Sequence, residues 1–131
     1  MYIHKSYPIP LYGSKRCRVH VIISDSRNWN KMIATLNLFS DSEEPEPYKY
    51  KDVSAFFTQT DIKGIGNFWI IFKNTKSSLN INTMSHEAAH ATNAILNSRG
   101  IKPSFSNDEA QAYLAGWVSE VAYKTIKKYL K

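Results

Sequence analysis

The sequence predicts an α+β domain, a small sheet with one helix followed by two helices packed beneath it. Three observations predict it. Apolar residues in the first half come in short runs broken by turn residues, whereas in the second half they recur at helical spacing over two long stretches. The chain has 131 residues, 43% hydrophobic and 21% charged, which suits one core and is too short for two. No repeat or boundary divides it, so residues 1–131 read as a single domain.

In chain order, Cys17-Arg-Val-His-Val-Ile-Ile-Ser24 alternates and then turns wholly apolar, the pattern of a buried strand. Asp25 or Ser26 can cap a short helix through Met32, Ile33 and Leu36. Residues 40–52 form a charged loop broken by Pro45 and Pro47. Val53 to Thr58 and Asn67 to Phe72 are the next strands, and Asp61-Ile-Lys-Gly64-Ile-Gly66-Asn67 has the glycines of a hairpin turn. Residues 82–99 make one helix, stopped by Gly100 and followed by Pro103, and residues 107–130 make another.

Composition narrows the function classes. A single cysteine, Cys17, rules out an internal disulfide and fits a reducing compartment. The first residues lack the charged-then-apolar pattern of a signal peptide, and no apolar stretch is long enough for a membrane span. A cytoplasmic protein without membrane contact is the expectation. The net charge of +6 is uneven: Asp41, Glu43, Glu44 and Glu46 crowd together, while Lys124, Lys127, Lys128 and Lys131 close the chain. Without zinc-finger spacing or an arginine cluster, the lysines read as a solvated face, and nucleic acid is disfavoured as a partner.

The chemistry sits in His86-Glu-Ala-Ala-His90. Two histidines at i and i+4 stand one above the other on a helix and can reach one metal ion. Glu87, about 100° round the helix, can act on a metal-bound water as general base. With four histidines and six glutamates in the chain, a chance match is expected in roughly 0.5% of such sequences. His86, His90, Asn93 and Asn97 share a polar stripe, while Met84, Ala88, Ala91 and Ile95 form an apolar one. Nitrogen donors plus a downstream carboxylate suit zinc, one per chain, with an open position left.

That carboxylate is expected from the last helix, where Glu109, Tyr113, Gly116 and Glu120 fall on one stripe. Gly116 would let the two helices approach closely. Glu109 is preferred as the ligand, although Ser106-Asn-Asp-Glu109 also fits a capping box. Asp108 can cap the helix or support a zinc histidine, and Tyr113 reads as an ordinary core tyrosine or, by its stripe, as the nearest candidate for transition-state support. Glu120 has a ready partner in Lys124 four residues on.

His86-Glu-Ala-Ala-His90 with Asp108-Glu-Ala-Gln-Ala-Tyr-Leu114 resembles the small gluzincin-type HExxH zinc metallopeptidases encoded by bacteria and their phages. The resemblance is sharp over residues 82–118 and architectural over 17–72. It implies a zincin-like fold in which one helix supplies His86 and His90, a second supplies Glu109, and Glu87 activates water against a peptide or protein substrate. It also implies that an edge strand, Val53 to Thr58 or Asn67 to Phe72, holds the substrate backbone. Virion association would follow from a phage origin. The chain departs from long gluzincins because only 22 residues follow Glu109. A non-catalytic zinc-binding accessory protein of a phage or mobile element is therefore the alternative. His4 and His20 read as structural histidines, Cys17 as a buried strand residue, Gly64 and Gly66 as turn glycines, and Trp29, Trp69 and Trp117 as core or cleft walls.

Overall fold

A computed structural model describes residues 1–10, 16–42, 48–102, 104–106 and 108–130. Four strands and three helices occur in the order β1 (Tyr2–Pro8), β2 (Arg18–Ser24), α1 (Trp29–Leu38), β3 (Ala55–Ile62), β4 (Ile65–Lys73), α2 (Ile81–Ser98) and α3 (Asp108–Ile126). The strands form one sheet in the order β1-β2-β4-β3, with β2 and β4 parallel and the outer pairs antiparallel.

The central strands explain their own sequences. Val19 to Ser24 and Asn67 to Phe72 are buried throughout, because helices cover both faces of β2 and β4. Val19, Val21, Ile23, Phe68, Ile70 and Phe72 pack against α2 and α3. Ile22, Trp69 and Ile71 pack on the other side with Trp29, Met32 and Leu36 of α1. The two long helices do lie beneath one face, and α1 covers the opposite one.

Local signals set the boundaries. The Asp25 carboxylate accepts from the Asn28 amide at 3.0 Å, so Asp25 rather than Ser26 is the cap, and a 3-10 turn over Ser26–Asn28 leads into α1. The turn between β3 and β4 shrinks to Lys63 and Gly64, at φ 51° and 77°, the paired positive angles that fit a two-residue hairpin. The strands run correspondingly further into the segment expected to be turn. The Asn80 side chain caps α2 by accepting from Thr83 N at 2.8 Å. At its other end Gly100 takes φ 71°, while Gly100 N reaches Asn97 O and Ile101 N reaches Leu96 O, each at 3.0 Å. That is a Schellman stop.

Three expectations change. β1 had no counterpart in the sequence reading; it pairs with β2 from Tyr2↔Ser24 to Pro8↔Arg18 and is tied down by Tyr2 to Thr35 at 2.8 Å and Tyr7 to Thr125 at 2.7 Å. α3 ends at Ile126, and a 3-10 turn occupies Lys127–Tyr129. Gly116 does not bring helices together: it is exposed, and a β-carbon there would meet nothing within 4 Å. The expected features at residues 43–47, Pro103, Asn107 and Lys131 lie outside the described residues. Among the described residues no helix is long and apolar enough to cross a membrane.

Candidate metal centre

α2 turns its apolar stripe, including Met84, Ala88, Ala91 and Ile95, into the core against the sheet. The i, i+4 histidines consequently emerge together on its outer flank. His86 Nε2 and His90 Nε2 stand 3.2 Å apart, with ring centroids 4.8 Å apart and planes at 78°. Both imidazoles are exposed, so their nitrogens converge on a point that solvent can reach.

Glu87 sits between this flank and the core. It is 6% exposed, and its Oε2 is buried without a hydrogen-bond partner among the described residues. Burial pushes the carboxyl above the ordinary glutamate range, while His86 and His90 pull the other way. A buried carboxylate oxygen left without a partner is costly, which invites a water or a cation beside the histidines to complete it. The two imidazole nitrogens supply two of the donors that a zinc site needs, with the Glu87 carboxylate at the neighbouring helix position, where a general base would stand.

His86, Glu87 and His90 line a cleft of about 350 Å³ with Tyr48, Val53 and Ala55 to Phe57. Side chains of successive strand residues point to opposite faces. A cleft lined by three successive residues therefore runs along the strand's edge, and among the described residues β3 is an edge strand with β4 as its one strand neighbour. Of the two segments expected to hold a substrate backbone, Val53 to Thr58 borders this cleft. Asn67 to Phe72 does not serve, because β4 is an interior strand between β2 and β3.

The remaining site candidates stand elsewhere. Asp108 and Glu109 occupy the first turn of α3, both exposed, and Asp108 lines a separate depression with Phe105 and Gln111. Tyr113 is 52% exposed. None of the three lines the histidine cleft, and among the described residues no three His, Cys, Asp or Glu side chains gather as a metal set. α3 does reach the histidine stripe: Gln111 Nε2 donates to Asn93 Oδ1 at 3.3 Å, one turn beyond His90. Glu120 pairs with Lys124 at 3.5 Å, as its spacing foretold.

Sequence reasoning missed Tyr48. Its ring lies 5.1 Å from Phe56, and its carbonyl accepts from Trp29 Nε1 at 3.0 Å, which anchors it beside the cleft. Nothing in its charged, proline-broken surroundings marks it as a cleft residue. His20 is structural: it stacks on Trp69 at 3.8 Å, donates from Nε2 to Asn67 Oδ1 at 2.8 Å, and its Nδ1 accepts from His4 Nε2 at 2.9 Å. Cys17 is buried, and Arg99 donates to its sulfur at 3.1 Å.

Compared with protein-family models, curated proteins and solved structures, the chain matches none.

Proposed function

We propose that this protein is a zinc-dependent metallopeptidase of zincin-like architecture, acting on a peptide or protein chain laid along β3. The observation that carries the reading is the 3.2 Å pairing of His86 Nε2 with His90 Nε2 beside a buried Glu87 whose Oε2 has no partner among the described residues. His86 and His90 would hold one zinc ion, with Glu109 as the third protein ligand. When bound, zinc supplies Lewis acidity toward the scissile carbonyl and lowers the pKa of an attacking water. Glu87 takes that water's proton and passes it to the leaving amine nitrogen; its raised pKa makes it the stronger acceptor. β3 has β4 on one side and no strand on the other among the described residues, and Asp41 N donates to its far end at Asp61 O. Its Ala55 to Phe57 stretch would orient an extended substrate past the two histidines.

A zinc site without hydrolysis is the second reading, favoured by the exposed position of Glu109 away from the cleft wall. One experiment separates the two. Zinc is titrated calorimetrically into wild type, His86→Ala and Glu87→Gln, and each is assayed against a fluorogenic peptide library. Wild type should bind about one zinc and cleave, His86→Ala should lose both, and Glu87→Gln should keep zinc and lose cleavage. Zinc binding without cleavage by wild type favours the second reading, and undiminished zinc binding by His86→Ala overturns both.

A further inference from the structure

The sheet has a second open edge, and it is built differently. A cleft of about 470 Å³ runs beside β1, with Tyr2 to Lys5 on one wall and Lys124, Thr125 and Lys128 at the end of α3 on the other. Four successive residues of one strand line it, so it follows the strand's edge rather than either face. The hydrogen bonds flanking the ladder fix which backbone groups face it. Asp25 N donates to Met1 O and Ile9 N to Cys17 O, each at 3.1 Å. These rungs place the bonded positions of β1 at odd residues and turn the amides and carbonyls of Tyr2, His4 and Ser6 outward. Arg18 occupies the Ser6 carbonyl at 3.2 Å, and Pro8 has no amide to offer. Among the described residues the open rungs are therefore those of Tyr2 and His4.

We propose that the edge of β1 docks an extended acidic segment of a partner protein, which joins the sheet as a fifth strand with its carboxylates against Lys5 and Lys128. Charge decides the occupant. Three lysines and no acidic residue line the cleft; Glu120, outside it, pairs with Lys124 at 3.5 Å, so Lys5 and Lys128 are the cations that face a partner. Lys31 adds a fourth cation, 4.6 Å from the centre of the Tyr2 ring. A second copy of β1 would bring lysine against lysine, which disfavours self-pairing. An acidic strand instead places carboxylates at every second residue along the cleft that carries Lys5 and Lys128. Single-stranded nucleic acid fits less well, because stacking needs uncovered rings. Lys31 stands over the Tyr2 ring at 4.6 Å and Lys128 over the Tyr129 ring at 6.0 Å, and the Tyr7 hydroxyl is held against Thr125.

The test uses the full chain and a fluorescein-labelled octapeptide of alternating threonine and glutamate, read by anisotropy and by amide NMR shifts. Wild type should bind it, with the largest shifts at Tyr2 and His4. Binding should weaken at least about ten-fold in Lys5→Glu/Lys128→Glu, and measurably in the milder Lys128→Gln. N-methylating alternate peptide amides should weaken it by a similar factor, because that blocks strand pairing without changing charge. The inference is overturned if wild type does not bind, if the N-methylated peptide binds equally, or if both variants bind as wild type does. Shifts centred on β3, or tighter binding of an oligo(dT) of equal length, would overturn it too.

Discussion

Glu87 and Glu109 are both acids on helices, yet the fold treats them in opposite ways. Glu87 is drawn into the protein where its Oε2 has no hydrogen-bond partner among the described residues, whereas Glu109 stands in the solvated first turn of α3. A buried unpartnered carboxylate is retained at a cost in stability, and such groups concentrate at functional sites. Glu109 carries the more exposed claim, since a helix-start glutamate is also what a capping box uses. If Glu109 is the third ligand, Glu109→Ala should weaken zinc affinity at least about ten-fold in competition with a chromogenic chelator. Glu120→Ala should leave affinity unchanged, because Glu120 is engaged with Lys124 at the surface. A capping role predicts instead unchanged zinc affinity and a loss of about 0.5–2 kcal/mol in stability. Tyr48 gives the complementary test. A hydroxyl at the cleft can donate to the carbonyl oxygen of a substrate as it gains charge. Tyr48→Phe should then lower kcat about ten- to a hundred-fold with little change in KM, measured by steady-state kinetics.

At the scale of elements, α2 is the part of the molecule most fully written in the sequence. Its apolar stripe, histidine flank and glycine stop each follow from residues a few positions apart, and all three recur in the structure. The stop can be tested. At φ 71° a β-carbon strains the backbone but meets nothing within 4 Å, so Gly100→Ala should cost only about 1 kcal/mol. For a chain of this size that is a melting-temperature drop of about 3–5 °C by calorimetry. A larger loss would mean that the α2 terminus also organises the approach to α3. β1 was illegible for the opposite reason. Its side chains are half-buried or exposed, with Tyr, His, Lys and Ser between the apolar positions, and what makes it a strand is pairing with β2. Edge strands are specified by a neighbour distant in sequence, and no local period announces them. The cleft beside the histidines was hidden likewise: Tyr48 and Phe57 meet α2 only once β3 has taken its place at the sheet edge.

Across the whole molecule, the histidines fall into two sets in different surroundings, and the buried set imposes a pH dependence. His86 and His90 are exposed on the α2 side, whereas His20 lies buried on the α1 side beneath Phe39 and against Trp69. Burial pushes the His20 imidazole down to about 4, opposed by its bond to Asn67 and reinforced by His4 and Arg18. Its partner His4 is lowered too, again by burial. The unfolded chain, with histidine near its ordinary 6.5, therefore binds more protons than the native state between about pH 6.5 and pH 4. Stability is full above pH 6.5 and falls as pH drops through that window, because protonation draws the chain toward the unfolded state. Glu87 works in the other direction, since a raised carboxyl takes up protons in the native state. Asp25, lowered to about 2, contributes only at more acid pH. The buried histidine governs the balance near pH 5. Urea unfolding with chelator present, to silence any metal, should show the wild type losing on the order of 1–2 kcal/mol between pH 7 and pH 5. His20→Gln removes the titrating ring and should flatten that slope even if it lowers stability at pH 7. An equally steep loss in His20→Gln would move the acid sensitivity away from the His4–His20–Asn67 chain and onto the carboxylates.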